Sequence, residues 1–197
     1  MIFFCSCLGF NKPSPPVNYY IFDYKVPEFP PLEPLEAAVR LERFSVASPY
    51  DTDRIVYREG PYKINEYNYH RWAAGPGDMV SSFLSRDFRE SGLFQAVLRP
   101  QSWSEGTYVL EGGVDEIYVK EAGSGREAVL RVSVSVMAEK EPDLSKRVLF
   151  QKSYSAAEAC RGKDPTALSE ALSLAMKRIS IELILDLYHA AEKRRTE

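Results

Sequence analysis

The ten residues Val129-Leu-Arg-Val-Ser-Val-Ser-Val-Met-Ala138 decide how the chain folds. Leu130, Val132, Val134, Val136 and Ala138 alternate with Arg131, Ser133, Ser135 and Met137, and a period of two marks a strand with one dry face and one polar face. Such a strand belongs to a sheet covered by helices on a single side. Upstream, Tyr108 to Glu121 reads as its partner, with a bulge expected at Gly112-Gly113. Gly123-Ser124-Gly125 is the hairpin turn between them. Downstream, Val148 to Tyr154 reads as the next strand, after a turn at Glu141-Pro142-Asp143.

Working outward, Val17 to Tyr24, Ala38 to Ala47, Arg54 to Arg58, Tyr62 to Trp72 and Leu93 to Arg99 carry strand composition. In the second of these, Val39, Leu41 and Arg43 alternate with Arg40, Glu42 and Phe44. Prolines 27, 30, 31 and 34 make Val26 to Pro34 a rigid connection without regular structure, and Ser48 to Asp51 is a turn. A first helix follows Pro76-Gly77 with Asp78 as its expected N-cap, Val80, Phe83, Leu84 and Phe88 at helical spacing, and Gly92 as the closing glycine. A second, long helix has Asp164 as N-cap, Pro165 at its first position and Lys193-Arg194-Arg195 against its negative end. From 165 to 192 it would run about 42 Å. The expected fold is therefore mixed α/β: one mixed sheet of about seven or eight strands packed by two main helices. Residues 17–197 form one globular domain and residues 1–16 a leader remnant and proline-rich tether.

Composition narrows the function. Of 197 residues, 45% are hydrophobic and 27% charged, which suits a globular core. The net charge of -3, with basic residues scattered, argues against a nucleic-acid partner. Two histidines leave little material for acid–base chemistry or a metal site, so neither a metal nor another cofactor is expected. His70 and His189 lie near no Gly-x-Ser-x-Gly elbow. Gly123-Ser124-Gly125 lacks the Lys-Ser/Thr of a phosphate loop, and Glu139, Glu141 and Asp143 read as a solvated turn. Cys160, with Arg161 and Lys163 nearby, has no local histidine to activate it. No catalytic residues are assigned.

Two clusters read as candidate interfaces. Tyr57, Tyr62, Tyr67, Tyr69 and Trp72 crowd one stretch. They either seal the edge of the core or contact lipid or protein, where tyrosine and tryptophan are enriched. On the long helix, Leu168, Leu172, Ala175, Ile179, Leu183 and Leu187 face the core, while Leu174, Ile181, Leu185 and Tyr188 form a second apolar line far around the helix. That line packs against a second layer of the same domain or meets a partner.

The front of the chain points to the envelope. Ser6-Cys7 resembles the end of a bacterial lipobox, preceded by the apolar stub Ile2 to Cys5 but by no basic segment. The expectation is a start lying upstream of Met1 and lipidation at Cys7. The alternative is an apolar N-terminus with two incidental cysteines, Cys5 and Cys7. Pro13, Pro15 and Pro16 favour an extended tether, and ten such residues reach roughly 30 Å.

With these residues in view, the chain resembles a known family. Phe44-Ser-Val-Ala-Ser-Pro-Tyr-Asp51, Arg54-Ile-Val-Tyr-Arg58, Tyr67-x-Tyr-His-Arg-Trp72, Pro76 and Ser91-Gly-Leu-Phe94 together resemble the ABC-type transport auxiliary lipoproteins, which accompany MCE-domain (mammalian-cell-entry) lipid transporters. The resemblance covers roughly residues 17–190. It implies a mixed sheet with packed helices, lipid attachment at Cys7, a periplasmic location with Leu8 favouring the outer membrane, an MCE-domain subunit as partner, and no enzyme activity. An accessory scaffold, as a ring of identical copies or singly, is the leading expectation. A lipoprotein that activates a cell-wall synthase is the competing one, and a soluble enzyme using Cys160 or His70 is a third.

Overall fold

The computed structural model describes residues 14–122, 125–162 and 164–196. Cys5, Cys7, Gly123, Ser124 and Lys163 therefore lie outside the described residues, as does the tether up to Pro13.

Among the described residues, nine strands form one sheet: β1 (Asn18–Tyr20), β2 (Leu35–Leu41), β3 (Ser45–Val46), β4 (Arg54–Arg58), β5 (Ile64–Trp72), β6 (Phe94–Leu98), β7 (Tyr108–Ala122), β8 (Gly125–Ala138) and β9 (Val148–Ala159). Three α-helices among the described residues accompany them: α1 (Pro76–Glu90), the single turn α2 (Leu144–Arg147) and α3 (Pro165–Thr196). The 15-residue β7 is the spine of the sheet. Along one edge it pairs antiparallel with β8 from Tyr108↔Ala138 to Ala122↔Gly125, and β9 continues that side. Its other edge is divided among three short parallel strands: β2 beside Tyr108–Leu110, β3 beside Gly113–Val114 and β4 beside Val119–Lys120. Beyond them, β6 flanks β2 while β5 and then β1 flank β4. The sheet forks because three short segments share one long edge.

The alternation in β8 places its side chains as expected. Leu130, Val132, Val134, Val136 and Ala138 are buried, opposite Leu110, Val114 and Ile117 of β7 and Tyr154 and Ala156 of β9. Helices α1 and α3 cover this face. The other face is open and polar, lined by Ser133, Ser135, Gln151 and Ser153. Burying the apolar set at roughly 25 cal/mol per Å² is the main stabilising contribution, and a one-residue slip of register would turn all of it to water.

Several expectations need correction. The β7 bulge falls at Val114/Glu116, where Asp115 is the extra residue and accepts a 2.9 Å hydrogen bond from Ser133 Oγ. The Gly112-Gly113 pair serves close approach instead. A Cβ on Gly112 would lie 2.5 Å from the Phe44 ring, which crosses the strand there. The alternation read through Ala38–Ala47 breaks after Leu41: the chain leaves β2, Phe44 turns into the core and Arg43 outward. The N-cap of α1 is Gly75 and not Asp78, whose carboxylate accepts from Arg43 within the first turn. Gly92 does close α1, at φ 65°. Asp164 caps α3 by accepting from the Ala167 amide at 2.9 Å.

The segment between β1 and β2, residues 21–34, which includes the proline-rich stretch, is a strap laid across both helices. Buried serines of α3 hold its backbone: Ser169 Oγ donates to Ile21 O at 2.6 Å and Ser173 Oγ accepts from the Asp23 amide at 2.9 Å. Farther on, the Tyr188 hydroxyl donates to Glu33 O at 2.9 Å. Over α1, Tyr24 donates to Asp87, and the Arg86 guanidinium binds Asp87 and Tyr24 O while lying over the Tyr24 and Phe83 rings. Polar groups on otherwise apolar helix faces are thus satisfied by a segment that has no sheet partners of its own.

Candidate interaction surfaces

The tyrosine cluster divides between core and surface. Tyr57 and Tyr67 lie on the helix-covered face with ring centroids 4.7 Å apart, and the Tyr67 hydroxyl donates to Glu121 at 3.0 Å. Burial, followed by that bond to a carboxylate, pushes the Tyr67 phenol up to about 12. His70 packs edge-on against Tyr67, and its Nδ1 lies 3.1 Å from the Tyr20 hydroxyl. Trp72 is only 3% exposed and meets Phe22 edge-on, so it is a core residue and offers no interface. Tyr62, at the turn before β5, is fully exposed, and Tyr69 is 41% exposed.

The second line on α3 is likewise mixed. Tyr188 is 1% exposed, closed over by Phe94 and tied to the strap, which removes it from any surface. Ile181 and Leu185 are half-buried, and Leu185 packs against the core. Leu174, at 48%, faces outward. The strap is the second layer that covers part of this line.

Chemistry is sparse among the described residues. No group of His, Cys, Asp and Glu could hold a metal ion. His189 sits beside Glu192 on the exposed side of α3. Burial raises the half-buried Cys160 thiol above its ordinary range, which opposes nucleophilic use. A trough of about 570 Å³ on the open face is lined by Ser45, Gly113, Asp115, Ser133, Ser135 and Ser153, and the Ser133–Asp115 hydrogen bond lies within it. No helix among the described residues is long and apolar enough to cross a membrane.

Reading the sequence missed one residue: Trp103, in the loop between β6 and β7, has its whole side chain in solvent (103% exposed). The loop beneath it is held firmly. From β2, Arg40 donates through Nη1 to Ser102 O (3.1 Å) and through Nη2 to Ser104 O (2.9 Å), so one guanidinium binds the carbonyls on both sides of Trp103. Arg40 is fixed in turn by Glu139 at 2.8 Å, whose other oxygen accepts from the Gly106 amide at 2.5 Å. Ser102 N to Arg99 O and the Thr107–Ala38 pair complete the frame. A large aromatic inside a run of turn formers, Arg99-Pro-Gln-Ser-Trp-Ser-Glu-Gly106, was the available signal.

Comparisons with known proteins agree with this architecture. Residues 25–183 match the family model described as the ABC-type transport auxiliary lipoprotein component. Among solved structures, a protein of Xanthomonas campestris is similar with a TM-score of 0.82 and 21% identity, covering 92% of this chain and 100% of its own. An uncharacterized protein is similar at 0.67 and 10%, covering 88% and 99%. A hypothetical protein of Chlamydia trachomatis is similar at 0.52 and 10%, covering 78% and 96%. At these identities the structures speak for the fold alone. No match is found among curated proteins.

Proposed function

This chain belongs to the ABC-type transport auxiliary lipoprotein family, and from that premise we propose that it is a non-catalytic accessory scaffold of an MCE-type lipid transport system, held at the periplasmic face of the envelope. The observation that carries the reading is the family match across most of the folded domain. The Ser6-Cys7 pair ahead of a proline-rich stretch supports lipidation at Cys7 and anchoring in the outer membrane. Three acyl chains, as a bacterial lipoprotein cysteine carries, exceed the two signals that stable anchoring needs. The family's description as a transport auxiliary component supports a role without turnover. Identical copies arranged as a ring would multiply weak contacts to one transporter.

Expression of the full gene product with its export signal tests this reading. Mass analysis of the N-terminal peptide should find an acylated Cys7, Cys7→Ala should release the protein from membranes, and the transporter's permease, ATPase and MCE-domain subunits should co-purify. Capture of a cell-wall synthase in place of those subunits would favour the competing reading. An unmodified protein free in the cytosol would refute both.

A further inference from the structure

The Trp103 loop lies at one end of the molecule among other exposed groups. Glu105, two residues after Trp103, pairs with Lys140 at 2.5 Å. Glu141 pairs with Arg194 at 2.6 Å, and Arg194 also donates to Lys146 O at 2.6 Å. These bonds gather the 99–107 loop, α2 and the C-terminal turn of α3 into one surface. Leu144, on α2, is 74% exposed there. Arg99, Lys146 and Arg195 are exposed and have no side-chain partner among the described residues. This end therefore combines displayed apolar groups with three cationic side chains that form no ion pair, beside the exposed Asp143 carboxylate that caps α2, in a chain whose net charge is -3.

Its position relative to the incoming chain decides what it meets. β4 runs parallel to β7 with Arg58 beside Lys120, and β5 returns antiparallel with Arg71 opposite Arg54. β1 runs parallel to β5 from Asn18↔His70 to Tyr20↔Trp72. The chain thus enters from the β7–β8 hairpin side, and β1 points toward the end that carries Trp103. The eight residues of β7 between the level of Arg71 and Tyr108 separate entry and Trp103 by roughly 25 Å at about 3.3 Å per residue. A domain hung from its N-terminus presents Trp103 away from the membrane that holds it.

We propose that Trp103 is the anchor of a protein-docking end, and that its partner is a subunit of the transport system offering an apolar recess rimmed by carboxylates. This rests on the accessory role proposed above. Binding a free loop loses ordering entropy, and Arg40 has already met that cost in the unbound protein. A rigidly held tryptophan is the residue type most enriched among dominant interface contacts. The unpaired Arg99, Lys146 and Arg195 supply long-range attraction to an acidic rim.

The test uses the full-length, membrane-held protein in cells that carry its transport system. Trp103→Ala should reduce the transporter subunit that co-purifies by more than tenfold, with an unchanged unfolding midpoint because the side chain contacts nothing that it stabilises. A photo-crosslinker replacing Trp103 should form an adduct whose peptides belong to that subunit, while one replacing Tyr62, exposed near the opposite end, should not. If the subunit co-purifies equally with Trp103→Ala, or if the position-103 adduct carries lipid or a second copy of this chain, the docking proposal fails and the accessory role stands. If no transporter subunit co-purifies with the unsubstituted protein, the accessory role itself fails.

Discussion

The hydroxyl of Tyr24 donates a 2.7 Å hydrogen bond to Asp87, a carboxylate with no exposed surface, and so joins the strap to α1. Burial first, and the adjacent Asp87 charge second, push the Tyr24 phenol far above its ordinary range, so it remains a donor at all physiological pH. Tyr24→Phe leaves the ring contacts with Phe83 and Arg86 but takes one partner from a buried charge. We expect a loss of about 1–3 kcal/mol in urea unfolding. An unchanged midpoint would mean that Arg86 alone satisfies the carboxylate.

Alkaline pH should weaken the fold through Tyr67. Its folded-state value of about 12 lies above the ordinary 10.0, so the folded protein keeps a proton that the unfolded chain has released. The contribution is complete below pH 10, declines as pH rises from 10 toward 12, and is level beyond. Urea midpoints measured across this range should fall less steeply for Tyr67→Phe than for the unsubstituted protein. Equal slopes would rule out Tyr67 as a contributor.

Gly112 should resist enlargement. Its absent Cβ would meet the Phe44 ring at 2.5 Å and Ser133 O at 2.8 Å, both within a closely packed layer. Gly112→Ala is expected to cost about 1–3 kcal/mol through forced displacement, read by thermal or denaturant unfolding. Gly125→Ala, which meets nothing within 4 Å, is the matched control.

The α3 line can be dissected with two substitutions. Leu185→Asp places a charge against the core and should destabilise by about 1–3 kcal/mol. Leu174→Asp, on the exposed side, should stay within about 0.5 kcal/mol. If Leu174→Asp preserves stability yet alters the sedimentation of the protein or its complexes, this face is an interface. If it changes neither, Leu174 is an ordinary solvent-facing position and not part of an interface.

The two tryptophans offer a spectroscopic check of the packing. Trp72 is buried against Phe22, and Trp103 is wholly in water. Trp103→Phe should therefore leave only short-wavelength emission, whereas Trp72→Phe should leave only long-wavelength emission. Two similar spectra would contradict these positions.

Local patterns carried much of this architecture. The alternation in β8, the Asp164-Pro165 start of α3 and Gly92 each depend on a residue's own backbone or on neighbours along the chain, and each is where its chemistry placed it. Longer-range relationships were not legible. Prolines 27 to 34 mark only what their stretch cannot be; that the segment leading into it is held on α3 depends on serines some 150 positions from Ile21 and Asp23. Trp72 and Tyr188 carry the composition of an interface, yet tertiary packing makes them core. The display of Trp103 depends on Arg40, which sits in another strand and reads in sequence as an ordinary polar position.

The parallel pairing of β1 with β5 also has a mechanical meaning. Tension applied ahead of Val17 pulls β1 along its own axis, so its hydrogen bonds to His70, Arg71 and Trp72 are loaded together in shear and cannot open one at a time like a zipper. Immediately behind β1, the serine clasps of α3 take up the next share of the force. A domain built this way can be tugged by its entry point while the far end keeps its shape.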